Sequence, residues 1–142
     1  MFLIKLYFST FDSHAWYFSK AETLDTAKLA RLTLIGIPEE LNMPMNLALE
    51  EIVSNVMLYA YPGKSGQVLV ECTKEGRLIF TITDSGIAFD PTQKEEVDTT
   101  LSAEEREIGG LGIHLVRQIM DEVVYERIDD KNVLTLVKTL NC

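Results

Sequence analysis

Glu51 and Asn55 stand four residues apart in a stretch with helical periodicity, so their side chains stack one turn apart and can meet around one ligand. Asparagine offers a neutral oxygen suited to Mg²⁺, which takes oxygen ligands, keeps several waters and is shared with substrate phosphates. A carboxylate beside it can hold a water or accept a hydroxyl proton. Further along, Asp84-Ser-Gly86 closes a strand-like run. An ionised carboxylate only accepts hydrogen bonds, so Asp84 can take the exocyclic amino N–H of adenine, which guanine does not present at that position. Gly86 would let a ring approach the backbone closely. Gly109-Gly-Leu-Gly112 opens an amphipathic run, where backbone N–H groups and a helix dipole can cradle phosphate. It is not a Walker loop, because no Gly-Lys-Ser or Gly-Lys-Thr follows, and it does not follow a strand as a dinucleotide fingerprint would.

Each island alone has an ordinary reading. The first fits a solvated helix face, the second an Asp-Ser-Gly turn, the third a loop leading into a helix. The information lies in all three falling in order between helices and strands. Other chemistry finds little support. His14 and His114 have no Cys, His or carboxylate spacing around them, and Ser54 and Ser85 have no histidine at a telling distance. Met43, Met45 and Met57 read as core fillers.

The elements that must position these groups follow from periodicity. Phe2 to Phe8 is aromatic and β-branched, a first strand. Leu24, Ala27, Lys28, Leu29, Arg31, Leu32 and Ile35 have helical spacing, with Thr23 or Asp25 to cap the start and Gly36 and Pro38 to end it. Asn42 and Pro44 open a second helix that runs to about Tyr61 and stops at Pro62-Gly63. Its apolar stripe is Met45, Leu49, Ile52, Val53, Val56 and Ala60. Gln67 to Thr73 and Arg77 to Thr83 form a hairpin around Lys74-Glu75-Gly76. From Pro91 to Ile108 come eighteen residues with six acidic and two basic side chains and little periodicity, a segment read as a mobile lid. Ile113, Leu115, Val116, Ile119 and Met120 make a short helix ending near Asp121, and two strands, Val123 to Ile128 and Val133 to Leu140, flank Asp129-Asp130-Lys131-Asn132. The order is an α+β layer with helices on one face of the sheet.

Composition bounds the rest. A chain of 142 residues is the size of one domain, here residues 1–142, and 46% hydrophobic with 25% charged residues is an ordinary globular balance. Thirteen basic against twenty-two acidic residues give a formal charge of -9, a field that repels nucleic acid and anionic lipid, so direct nucleic-acid binding is not expected. ATP is an anion too, and a site for it must overcome that field locally with backbone N–H groups, a helix N-terminus and a cation. Cys72 and Cys142 make neither a disulfide framework nor a metal spacing, which fits a reduced cytoplasm. The opening apolar run is interrupted by Lys5, and no stretch reaches the roughly 18 apolar residues of a membrane span.

The segments Glu51-Ile-Val-Ser-Asn55, Asp84-Ser-Gly-Ile-Ala-Phe-Asp-Pro91 and Gly109-Gly-Leu-Gly112 resemble the three nucleotide-binding boxes of the Bergerat-fold (GHKL) ATPases, the superfamily of gyrase and the histidine kinases. Within it, the Phe-Asp-Pro tail and the run from Gly110 to Val123 are most similar to bacterial anti-sigma-factor serine-protein kinases, over roughly Thr23 to Leu140. The resemblance implies a two-layer Bergerat-fold sandwich, a mixed but mostly antiparallel sheet with helices on one face and a mobile ATP lid at about 91–108. It implies ATP and Mg²⁺ as cofactors, Asn55 as metal ligand, Glu51 as base toward a protein serine hydroxyl, Asp84 as adenine reader, and Gly86, Phe89, Gly109, Gly110, Leu111 and Gly112 along the nucleotide. A sigma factor and a small anti-anti-sigma protein would be the partners, with a homodimer as the form members often take. Phosphorylation of the latter would add about -1.5 to -2 charge at its interface and release it. Tyr59 stands where a histidine is common, Asn132-Val133 where Gly-Thr is usual, and Ile108 where some relatives carry a basic residue, leaving Arg106, Lys94 or Mg²⁺ to neutralise phosphate.

Three readings follow. One is an ATP- and Mg²⁺-dependent protein serine kinase that also sequesters a sigma factor. Another is a nucleotide-binding partner-switching module without turnover, which the departures at Tyr59 and Val133 motivate. A histidine-kinase catalytic domain ranks behind both, because the sequence has no helical dimerisation segment bearing a phospho-acceptor histidine.

Overall fold

The computed structural model of the chain describes residues 2–9, 13–20, 38–64, 66–93 and 110–140. Six strands are present: β1 (Phe2–Ser9), β2 (Ser13–Lys20), β3 (Gly66–Lys74), β4 (Arg77–Asp84), β5 (Glu122–Ile128) and β6 (Lys131–Thr139). Two helices, α1 (Glu39–Tyr59) and α2 (Gly110–Ile119), and a 3₁₀ turn at Pro91–Gln93 complete the described elements. The sheet order is β1-β2-β3-β4-β6-β5.

The sheet is the mostly antiparallel one expected, and every pairing among the described strands is in fact antiparallel. The reason is local. β3 and β4 are joined by a tight turn, and β5 runs out along the edge before β6 returns between it and β4. At the tip of the second hairpin Asp129 and Asp130 both take positive φ, 49° and 60°. Such a pair matches the twist of the flanking strands, and Asp tolerates it better than most side chains.

Alternation decides what the sheet buries. Val68, Val70 and Cys72 on β3, Leu78, Phe80 and Ile82 on β4, and Leu134 and Leu136 on β6 all point to one face and are buried. Against them pack Met45, Leu49, Ile52, Val53 and Met57 of α1, with Ile113, Val116 and Met120 from α2 and the residue after it. Burying each such side chain contributes about 1.5–3 kcal/mol before the entropy of ordering is subtracted. The expected stripe of α1 is therefore the one that meets the sheet, with Val56 half-buried and Ala60 buried. Met43 is corrected: it lies on the outer face of α1 at 65% exposure, while Met45 and Met57 are core.

Helix α1 also begins earlier than Asn42. Glu39 and Glu40 occupy its first turn, where acidic side chains complement the helix dipole, and the Leu41 N–H closes that turn by donating to the Pro38 carbonyl at 3.0 Å. Pro44 therefore sits inside the helix, where it removes one backbone donor. Strand β2 was not anticipated. Its aromatic triplet Trp16-Tyr17-Phe18 is diluted by Ser13, His14, Ser19 and Lys20, and continuous pairing of Ser13–Lys20 with β3 supplies what the pattern lacks. The expected helix at residues 23–35, the lid beyond Gln93 with Lys94, Arg106 and Ile108, and Gly109 after it fall outside the described residues.

Candidate functional site

Asp84 is the last residue of β4 and continues the rank of Leu78, Phe80 and Ile82, so alternation carries a carboxylate into the helix-covered face. Asn132 does the same on β6, in phase with Leu134 and Leu136, and lies directly opposite Asp84 in the register. Both are buried, at 4% and 5% exposure. A buried carboxylate must be hydrogen-bonded or its ionised form becomes very costly. The Asn132 side-chain amide donates to Asp84 Oδ1 at 2.9 Å, and the Gly86 N–H donates to the same oxygen at 2.9 Å. Among the described residues no hydrogen bond reaches Asp84 Oδ2. Burial pushes this carboxyl above its usual range, while the bonds from Asn132 and Gly86 and the charge of Arg127 pull part of the way back.

The loop after Asp84 is pinned on several sides. Ile87 N–H donates to the Ala60 carbonyl at 2.9 Å, and Arg127 reaches from β5 to the Gly86 carbonyl at 2.9 Å. Tyr61, just past α1, donates its hydroxyl to the Gln67 carbonyl at 2.7 Å and accepts the Ser85 N–H at 2.9 Å. A Cβ on Gly86 would strike the Ala60 carbonyl oxygen, with Ala60 Cβ at 2.5 Å and its carbonyl carbon at 2.7 Å. The packing of this loop on the end of α1 is thus enough to require glycine. The close approach that Gly86 permits in this structure is to helix backbone.

Asn55 is buried at 8% exposure, and among the described residues no hydrogen bond reaches its side chain. Buried amides without partners are rare in folded proteins, so an oxygen ligand facing a cation and its waters is a fitting use. One turn earlier Glu51 is half-buried; burial first, and Glu50 second, raise its carboxyl above the usual range. A Cβ on Gly112 would lie 2.5 Å from Glu51 Oε2 and 3.6 Å from Asn55 Nδ2. The first turn of α2 therefore abuts both residues, and the missing side chain makes the room. Gly110 and Leu111 belong to that turn, which places backbone N–H groups and the positive end of a helix dipole beside the pair.

Between these groups lies a mostly apolar cleft to which Ile52, Asn55 and Val56 of α1 contribute, with Ile82 and Asp84 of β4, Tyr125 of β5, Asn132 and Leu134 of β6, and Phe89 and Pro91. Asn55 is common to the cleft and to the Gly112 contact, so residues of all three islands meet in one region. Phe89 faces Tyr59 with ring centroids 6.0 Å apart, which gives Tyr59 a packing role. About 20 Å³ of the cleft is open to a water-sized sphere, room for about one water. Arg117 on α2 donates to the Thr92 carbonyl at 2.5 Å and holds the 3₁₀ turn at Pro91–Gln93. Among the described residues no group of three or more His, Cys, Asp or Glu side chains is placed to hold a metal ion.

In the sequence Asn132 stands out only as a departure from a pattern, and Tyr125 and Arg127 do not stand out. The signal for Asn132 was available: a polar residue in phase with Leu134 and Leu136 on a half-buried strand. Arg127 and Tyr125 carry no such signal, because their roles depend on which strand becomes the neighbour of β6.

The profile of a family described as the histidine kinase-like ATPase domain matches residues 20–138. The serine-protein kinase RsbW of Listeria monocytogenes serovar 1/2a is 33% identical over 107 residues, covering 67% of this chain and 68% of that protein. RsbW of Bacillus licheniformis is 31% identical over 125 residues, covering 80% and 78%, and the serine/threonine-protein kinase BtrW of Bordetella bronchiseptica is 31% identical over 98 residues, covering 68% and 69%. Among solved structures, the blue-light activated histidine kinase of Erythrobacter litoralis EL346 aligns with a TM-score of 0.53 at 19% identity, over 76% of this chain and 33% of that one. Its histidine kinase domain gives 0.54 at 21% identity, over 76% and 48%. The structural likeness speaks for the fold, and this chain spans from a third to about half of those structures. With a profile match over residues 20–138 and relatives above 30% identity across two thirds of both lengths, the chain belongs to the histidine kinase-like ATPase domain family.

Proposed function

We propose that the chain, working as one domain, binds ATP with Mg²⁺ in the cleft between α1, α2 and the β4–β6 strand ends and transfers the γ-phosphoryl group to a serine of a small protein partner. The observation that carries this reading is Asn55, a buried amide without a hydrogen-bond partner among the described residues, set between the Asp84 cleft and the Glu51–Gly112 contact. The kinase names of the relatives support the reaction class.

In this reading Asp84 Oδ2 accepts the adenine amino group while Oδ1 stays held by Asn132 and Gly86. The N–H groups of Gly110, Leu111 and Gly112 line the phosphates at the start of α2. Gly86, Phe89 and Gly109 border the nucleotide. Asn55 would hold Mg²⁺, which would supply charge neutralisation to the phosphates when bound. Glu51 accepts the proton of the serine hydroxyl as its oxygen attacks phosphorus, and ADP leaves. A carboxyl raised by burial is a stronger base than a solvated one, which suits that task. The family likeness supports an anti-sigma role, in which the chain sequesters a sigma factor and phosphorylates an anti-anti-sigma partner. The test is incubation with γ-labelled ATP, Mg²⁺ and a candidate anti-anti-sigma protein: serine phosphorylation lost in Glu51→Ala, with ADP affinity kept, is expected. Full transfer by Glu51→Ala removes the base.

A second reading, a partner-binding module that holds nucleotide without turnover, is motivated by the departures at Tyr59, which packs on Phe89, and at Val133. The same incubation separates the two, since such a module binds ATP and transfers nothing.

A further inference from the structure

Asn132 lines the cleft and makes four hydrogen bonds there. Its amide nitrogen donates to Asp84 Oδ1 at 2.9 Å and to the Ile87 carbonyl at 2.7 Å. Its oxygen accepts the Tyr125 hydroxyl at 2.6 Å and the Phe89 N–H at 3.3 Å. Two of these partners have no choice of role: a backbone N–H only donates and a backbone carbonyl only accepts. The amide therefore has one orientation, with its nitrogen toward the carboxylate. Since that nitrogen and the Gly86 N–H both engage Oδ1, the carboxylate is fixed with Oδ2 as its remaining acceptor. Through Ile87 and Phe89 the same side chain holds the wall of the cleft that faces Tyr59.

We propose that Asn132 is a positioning residue that sets purine selectivity: by locking the Asp84 carboxylate and the 87–89 wall in one geometry, it makes the cleft accept a 6-amino purine and reject a 6-oxo one. This rests on the nucleotide reading above. A carboxylate free to rotate swings its acceptor away from the purine edge and takes hydrogen bonds from solvent instead, and it discriminates less. Asparagine is required because an aspartate in its place would be an acceptor facing two acceptors, the Ile87 carbonyl and the Asp84 carboxylate. Two carboxylates at that spacing cannot both stay ionised, and they bind one shared proton as the pH falls. Among the described residues, the charged and titratable groups that face the pair are Arg127 from β5, the Tyr61 hydroxyl beyond α1 and the Tyr125 hydroxyl from β5.

The experiment is calorimetric titration of the full chain with ADP and with GDP, for wild type, Asn132→Ala, Asn132→Asp and Tyr125→Phe, with a thermal melt of each. Asn132→Ala is expected to weaken ADP roughly 10- to 100-fold and GDP little, so that the ratio of the two affinities narrows. Tyr125→Phe, which removes one hydroxyl and leaves the core intact, is expected to narrow it about 2- to 10-fold. In Asn132→Asp the ADP deficit relative to wild type should shrink as the pH is lowered, because the shared proton restores a donor toward Asp84. A purely structural role predicts equal losses for both nucleotides and a deficit that ignores pH, and that result overturns the inference while leaving ADP binding by wild type in place. Wild type that binds no ADP removes the nucleotide reading, and this inference with it.

Discussion

Gly86 and Gly112 each pack closely on the α1 region, and replacing each with alanine should have different consequences. At Gly86 the added Cβ meets the backbone of Ala60, its carbonyl oxygen and its carbonyl carbon at 2.7 Å, with the Ala60 Cβ at 2.5 Å. Backbone at the end of a packed helix cannot step aside cheaply, and overpacking of this kind costs about 1–3 kcal/mol. For a chain of this length that lowers Tm by roughly 3–12 °C. The Ile87 N–H bond to Ala60 should open with it, so its amide should exchange faster. At Gly112 the nearest atom is Glu51 Oε2 at 2.5 Å, the far end of a flexible side chain that can rotate away. Alanine is the better helix former by up to about 1 kcal/mol. Gly112→Ala should therefore melt within about 4 °C of wild type, yet displace the proposed base and slow phosphoryl transfer at least roughly tenfold. The assays are a circular-dichroism melt for both variants, hydrogen exchange at Ile87 for the first, and transfer from labelled ATP for the second. Gly86→Ala melting with wild type would refute the close packing on Ala60. Gly112→Ala with normal transfer would refute the coupling between α2 and Glu51.

Three further outcomes are expected. Asp84→Asn keeps an oxygen for the Asn132 and Gly86 donors but turns an NH₂ toward the cleft, so ADP binding should fall roughly 10- to 100-fold. Because burial raises the folded-state carboxyl, the native state binds more protons than the unfolded chain between the two pKa values, and ionising Asp84 reduces stability as pH rises through that window. Asp84→Asn should thus equal or exceed wild-type Tm at pH 7, and the difference should close on acidification; a large loss of Tm contradicts this. Glu51 acts as base only when ionised, so transfer should decline on acidification from a pH above that of an ordinary carboxylate, and a rate profile flat down to the usual carboxylate range contradicts its role. In the β5–β6 turn, Asp130→Gly should raise stability by about 0.5–1 kcal/mol by relieving a positive φ, as read from urea unfolding.

Much of this was legible because the chain carries two clean periods. The stripe of α1 and the alternation of β3, β4 and β6 point to the same core, and carrying the β4 rank one step further predicts that Asp84 is buried. The elements that were misread have physical reasons. Pro44 looks like a helix opener, yet the acidic pair Glu39-Glu40 and the Pro38 carbonyl start the helix before it. Strand β2 gains its order from pairing with β3, a long-range term that no window of sequence contains. At Gly86 and Gly112 the sequence does not show which atoms a Cβ would meet; in the fold these belong to Ala60 and Glu51. Asn132 was marked for what it replaces, whereas its four hydrogen bonds exist only once β6 lies beside β4 and the 86–89 loop folds back over both.

One nucleotide should touch residues of all three islands, and a crystal structure of the chain with ADP and Mg²⁺ tests this most directly. It should find the adenine amino group within hydrogen-bond distance of Asp84 Oδ2, the metal on the Asn55 side-chain oxygen, and the diphosphate at the first turn of α2. Nucleotide bound away from Asp84, or metal held without Asn55, would contradict it.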